Sequence, residues 1–247
     1  MDESLAKIST SIGIGAFFLL GLCLIIELIR PSFILRYLKS DHIPKGISTS
    51  FVLAIAFVFG LLIENLSSYV ADRIDYLTPL PNEKSLRAQV LLREGLKDRY
   101  TNSDYMMDFL FKTNVPQEQI DILKNGAGDT PLKDLSVNDI YYTAKNIVYR
   151  EDNYFIELTY FQSRVNFARS FTLACVLLTT FSLFAILFCF NSPNKIPAKI
   201  LVKRILFCVL LFFCLYVIGR YAYTSEEIEF NQRVFGYFLS LIHSANS

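Results

Sequence analysis

The sequence has no tryptophan, only two histidines and five cysteines, and no excess of charge of either sign: 24 basic residues face 23 acidic ones, for a formal net charge of +1. Each scarcity closes off a class of function. Near-neutrality leaves no global field to draw in a polyanion, so nucleic-acid binding gets no support. His42 and His243 stand alone, with no Glu, Cys or second His at ligand spacing and no H-E-x-x-H signature, so they read as solvated side chains rather than zinc ligands. Cys23, Cys175, Cys189, Cys208 and Cys214 all lie inside or at the edge of apolar runs, and none is in C-x-x-C spacing. They spell out neither a disulfide framework nor a redox pair, and read as small apolar fillers of helix packing. Acylation of Cys189, near an interface, is the alternative.

Catalytic signatures are missing too. The stretch Asn125-Gly-Ala-Gly-Asp-Thr-Pro has two glycines but lacks the following Lys and Ser or Thr that a phosphate loop needs, so it reads as a turn. Asp72 with Asp75, and Asp104 with Asp108, would each share a helix face and could hold a cation or move a proton; such pairs more often mark a wet helix face. No nucleophile elbow or Ser, His and Asp arrangement occurs. The expectation is a non-enzymatic chain with no cofactor and no metal.

Apolar residues are abundant. They make up 53% of the 247 positions, with 15% aromatics and a mean hydropathy of +0.37, more than a soluble domain of this size carries. The surplus is concentrated in four runs long enough to cross a bilayer, at about 12–29, 47–66, 170–190 and 200–219. The first has Glu27 as its sole charge, follows MDESLAK and leaves through Arg30-Pro31, a pattern unlike a cleaved signal. Twelve Leu, Ile, Val or Phe in the third run favour insertion by roughly 4–7 kcal/mol. Lys203 and Arg204 lie one turn into the fourth, close enough to its end to reach headgroups.

The predicted fold is therefore an all-α polytopic membrane protein. It has an N-terminal transmembrane hairpin (1–66), a helical extramembrane segment (67–168), a C-terminal transmembrane hairpin (169–223) and an amphipathic C-terminal helix (224–247). In the extramembrane segment Leu86, Val90 and Leu91, then Tyr105, Met106, Phe109 and Leu110, then Ile120 and Leu123, mark candidate helices. The clearest pattern is Val137, Tyr141, Ala144, Val148, Phe155, Leu158 and Val165, at steps of three, four or seven. It predicts one helix, or two nearly in line, from about Ser136 to Phe190. In the tail, Ile228, Phe235, Phe238, Leu239 and Ile242 form a stripe with Glu226, Glu227 and Glu229 in its first turn.

The short loops hold Arg30, Arg36, Lys39 and Lys45, and Lys195, Lys199, Lys203 and Arg204, against the single acid Asp41. The positive-inside rule places them in the cytoplasm and the middle segment outside. Arg73, Arg164, Arg169, Arg220 and Arg233, near the other ends of the spans, pull the opposite way.

No ionisable residue sits at mid-depth, where coupled transporters need one. Glu27 is three residues before Arg30 and suits an interfacial ion pair. Glu64, with Asn65, is the candidate for a pore mouth. Ser9-x-x-x-Gly13, Ser11-x-x-x-Gly15 and Ala56-x-x-x-Gly60 allow close helix approach, within one bundle by default or between copies, so Gly13, Gly15 and Gly60 are interface candidates. The layout resembles that of several large-pore channels and ion-driven motor stators, in layout only. The function expected is an oligomeric integral membrane protein of the plasma membrane or bacterial inner membrane. It would act as a sensor or membrane-perturbing effector, for instance in bacterial defence, with the lipid bilayer, further copies and a protein at the helical segment as partners. A channel or small-solute transporter, and a membrane-embedded enzyme, are the alternatives.

Overall fold

The computed structural model describes residues 3–30, 45–73, 137–189 and 197–246. Among them no strand occurs, and five helices follow in order: α1 (Glu3–Ile29), α2 (Lys45–Arg73), α3 (Val137–Val148), α4 (Asp152–Cys189) and α5 (Ala198–Asn246). α1, α2, α4 and α5 are long and apolar enough to cross a membrane. The all-α architecture with four candidate spans is as the sequence predicts. The candidate helices between Leu86 and Leu123, the Asn125 turn, the acidic pairs and both histidine side chains lie outside what the structure describes.

Two compact units are present: unit 1 is Met1–Pro81 with Ser163–Tyr223, and unit 2 is Asn82–Gln162 with Thr224–Ser247. Both divisions fall inside unbroken helices, at 162–163 in α4 and 223–224 in α5. At 1.5 Å per residue, α4 with 38 residues is about 57 Å long and α5 with 49 is about 74 Å, against roughly 30 Å of hydrocarbon.

In unit 1, α1 and α2 form an antiparallel pair, and α4 runs parallel to α1. Phe17 stacks near Phe171 at 4.9 Å, Phe18 lies 5.8 Å from Phe59 and 6.3 Å from Phe181, and Gly21 faces Leu178. α5 turns back along α4, with Gly219 beside Thr172 and Phe171. The centre is apolar: Ile14, Phe18, Ile25, Ile63, Leu178 and Phe212 belong to one buried cluster. The outer faces are apolar as well, with Leu20 70% and Phe207 67% exposed, the inversion expected of a surface bathed in lipid. α4 carries four hydroxyls through this environment by bonding each to the carbonyl four residues back: Thr172 to Ala168 (2.7 Å), Thr179 to Cys175 (2.8 Å), Thr180 to Val176 (2.9 Å) and Ser182 to Leu178 (2.8 Å). Cys175 and Cys208 are buried in the packing, as fillers should be, while Cys214 faces outward.

In unit 2 the structure departs from the single long helix. α3 stops at Val148, and Arg150 and Glu151 donate their N–H groups only three residues back, to Ile147 and Val148, both at 3.1 Å. The Glu151 carbonyl then accepts from Tyr154 and Phe155 at 3.0 Å each, starting α4. The chain folds back at this point, because Lys145 Nζ of α3 and Tyr149 OH of the turn both donate to Gln162 Oε1, at 2.9 and 3.0 Å. Residues 17 positions apart would be about 25 Å apart on a continuous helix. The cause is the polar run Arg150-Glu-Asp-Asn153, whose acidic and amide members favour capping a new helix over continuing an old one. The seven-residue step from Val148 to Phe155 leaps this turn, and Phe155 is 37% exposed, off the buried face of Leu158.

The tail also differs from expectation. α5 does not end after the span, so Glu226, Glu227 and Glu229 lie in mid-helix, where the dipole does nothing for them. Phe230, Val234, Phe235 and Phe238 are buried, and α5 meets α3 through Tyr141–Phe235 (5.9 Å) and α4 through the stacked pair Tyr154–Tyr237 (4.3 Å).

Candidate functional site

Two glycines set the geometry of the site. A Cβ on Gly15 would lie 1.6 Å from the Ala56 carbonyl oxygen, and one on Gly60 would lie 1.7 Å from that of Ser11. The backbones of α1 and α2 therefore touch where Ser11-x-x-x-Gly15 meets Ala56-x-x-x-Gly60, a contact that only glycine permits at these positions. Both motifs pack inside the chain, in line with the default reading. Ser9-x-x-x-Gly13 does not: Ser9 and Gly13 are exposed, and a Cβ on Gly13 would meet nothing within 4 Å.

The close crossing places Ser11 one turn from Glu64, and Ser11 Oγ donates to Glu64 Oε2 at 2.9 Å. From there a polar layer crosses unit 1. Ser67 Oγ donates to the Glu64 carbonyl at 2.8 Å and lies 3.1 Å from Ser170 Oγ in a buried contact between α2 and α4. Arg169, only 8% exposed, donates through Nη2 to Ser68 Oγ at 2.5 Å and to Asn166 Oδ1 at 3.0 Å. Hydroxyl and amide acceptors thus hold a buried guanidinium, and the layer ties α1, α2 and α4 together at one level, near the ends of their apolar stretches. Glu64 is half-buried and Asn65 exposed.

Of the predicted residues, Gly15, Gly60 and Glu64 come together, while Gly13 and Asn65 face away. Glu27 is half-buried and Arg30 exposed. Sequence reasoning missed Ser67, Ser68, Arg169 and Ser170. Their signal was two polar pairs, Ser67-Ser68 at the end of one apolar run and Arg169-Ser170 at the start of another.

Unit 2 has a second polar centre. Arg233 Nη1 binds Glu157 Oε1, its Nε and Nη2 lie 3.3 and 3.0 Å from Glu229 Oε1, and its guanidinium sits 3.9 Å above the Phe161 ring. Burial, together with the Glu157 carboxylate, raises the phenol of Tyr237 above its ordinary value. Lys145 bonds Gln162 and lies 5.2 Å over the Phe230 ring. These contacts clamp α3, α4 and α5 to one another. Among the described residues no group of His, Cys, Asp and Glu is placed to hold a metal ion. Comparison with known protein families, curated proteins and solved structures finds no match to this chain.

Proposed function

We propose that the chain is a non-enzymatic integral membrane protein that assembles into oligomers and acts as a sensor or membrane-perturbing effector. In this reading the extramembrane helices take up a signal or partner protein and the spans relay it, in a plasma membrane or bacterial inner membrane. The observation that supports it is the course of α4 and α5: each is unbroken where the two units divide, at 162–163 and 223–224, so that in this reading each span continues an extramembrane helix. A helix transmits displacement along its axis better than a flexible linker does.

Expression of the full chain with a potential-sensitive dye tests the membrane effect, and native mass spectrometry of the detergent-solubilised protein counts the copies. Depolarisation together with a defined oligomer is expected. Gly13→Leu separates assembly from folding, because a Cβ at this exposed position meets nothing within 4 Å among the described residues. It should break the oligomer and the depolarisation while leaving the helical content intact. A monomer without effect on the membrane would sink the proposal. A second reading, an ion channel with Glu64 at its mouth, is favoured by the partial exposure of Glu64 beside exposed Asn65. It requires a conductance whose ion selectivity changes in Glu64→Gln.

A further inference from the structure

The basic residues of the spans fall into two groups. Toward the end of unit 1 that holds the Ser11–Glu64 layer, Arg169 bonds Ser68 and Asn166, and Arg220 donates to Tyr216 at 3.1 Å. At the opposite end, Arg30 closes α1 and Lys199, Lys203 and Arg204 occupy the first seven residues of α5. All four are exposed, and none has a side-chain hydrogen bond or ion pair among the described residues. A residue count treats the two groups alike. The structure separates them by whether the described residues supply a partner.

Acidic residues are scarce nearby in the sequence. From Asn191 to Ser225 there is no acidic residue, and by sequence the two short loops and the span ends that they join hold eight cations (Arg30, Arg36, Lys39, Lys45, Lys195, Lys199, Lys203, Arg204) against two acids, Glu27 and Asp41. Lys203 and Arg204 are also flanked by exposed Ile200, Leu206 and Phe207, on the lipid-facing surface of a candidate span. Lys203 is five residues into α5, about 7.5 Å along its axis. Side chains on a helix lean toward its N-terminus, here toward the membrane boundary, so the long stems can rest on apolar neighbours while the charged heads reach the headgroup level.

We propose that this end of unit 1 is a docking face for the headgroups of anionic phospholipids, with Lys199, Lys203 and Arg204 as its centre and Arg30 beside them. The apolar stems and neighbours seat the acyl chains, and the phosphate supplies the counter-charge that the described residues leave out. The guanidinium of Arg204 can take two phosphate oxygens at once, and the lysines act as point charges. The inference rests on the spans being in lipid and is independent of any sensor or effector role.

The test uses the full chain in detergent micelles and native mass spectrometry, with phosphatidylglycerol and phosphatidylcholine of identical acyl chains as probes. Phosphatidylglycerol should be retained in excess, and the excess should fall about fivefold for each cation removed in Lys199→Gln, Lys203→Gln and Arg204→Gln, as about 1 kcal/mol per basic residue near a charged surface implies. Lys203→Arg should keep it, as should Lys145→Gln, which removes a cation from unit 2. Helical content and elution volume identify any variant that has not folded, and the charge-conserving variant then carries the test. Equal retention of the two lipids would overturn the proposal. So would an excess indifferent to all three neutral variants, or one displaced by millimolar inorganic phosphate, which would mark a general anion patch rather than a lipid seat.

Discussion

The close crossing of α1 and α2 gives the sharpest test. In Gly60→Ala a single methyl is added 1.7 Å from the Ser11 carbonyl oxygen. Ordinary contact begins near 3.4 Å, so α1 and α2 must part by about 1.7 Å or bend. Separation on that scale stretches the 2.9 Å bond from Ser11 to Glu64 past hydrogen-bonding range and loosens Phe18 from Phe59. Overpacking of this kind costs about 1–3 kcal/mol, and an interhelical hydrogen bond in a membrane protein about 0.6 kcal/mol, for a combined loss of about 2–3 kcal/mol. That is roughly 30- to 150-fold in the folding equilibrium. Alanine also gains up to about 1 kcal/mol of helix propensity over glycine, but Gly13→Ala gains the same without the clash. The difference between the two variants therefore isolates the crossing. Reversible unfolding by titrating SDS into detergent micelles, followed by far-UV circular dichroism, measures both. Stabilities within about 0.5 kcal/mol of each other would refute the argument that the backbones meet at this point.

Three further outcomes follow. A double-mutant cycle on Ser11→Ala and Glu64→Gln should give a coupling of about 0.6 kcal/mol, and no more than about 1.7, since such bonds in membranes are worth little more. Tyr237 holds its proton more tightly when folded than its ordinary value of 10.0 allows, so its contribution is complete below about pH 10 and is lost as pH rises through the folded value. Unfolding followed from pH 8 to 11 should show a decline at the alkaline end that is smaller in Tyr237→Phe, and equal declines would contradict the assignment. In detergent, a maleimide should label exposed Cys214 before buried Cys175 and Cys208, with all three reacting once the chain is unfolded in SDS.

The spans were legible because a bilayer demands one simple thing, about twenty apolar residues in a row, and the sequence supplies it four times. Small-residue spacing was legible in kind, yet Ser9-x-x-x-Gly13 and Ser11-x-x-x-Gly15 are the same motif two residues apart. Only the structure says which one faces α2, because the answer depends on helix rotation and not on composition. The turn at Arg150–Asn153 was hidden for a different reason. With no Gly or Pro to mark it, the turn rests on the weak preference of Glu, Asp and Asn for capping, and apolar residues seven apart keep their phase across a hairpin as well as along a helix. The tail was misjudged by treating three glutamates as a helix start. Arg169 escaped notice because a basic residue at a span's edge usually snorkels, whereas this one turns inward to Ser68.

What fills the centre of unit 1 bears on how the membrane could be perturbed at all. The buried cluster around Phe18, Leu178, Ile205 and Phe212 is apolar, the buried hydroxyls of Thr172 and Ser182 on α4 are taken up by carbonyls of their own helix, and the polar layer of Ser11, Glu64, Ser67 and Ser170 stays at one end of the apolar stretches. A water column through that centre would have to wet it. An aromatic side chain buries about 150–250 Å² and wetting costs about 25 cal/mol per Å², so Phe18 and Phe212 alone would resist with about 4 kcal/mol or more each. Constrictions of this composition expel water and close. On the proposed oligomeric reading, an aqueous path would therefore run between copies rather than through the described residues of one bundle. Activity should then rise more steeply than linearly with the amount of protein in the bilayer. Conductance that scales in simple proportion, down to isolated chains, would place the path inside the bundle and undo this account.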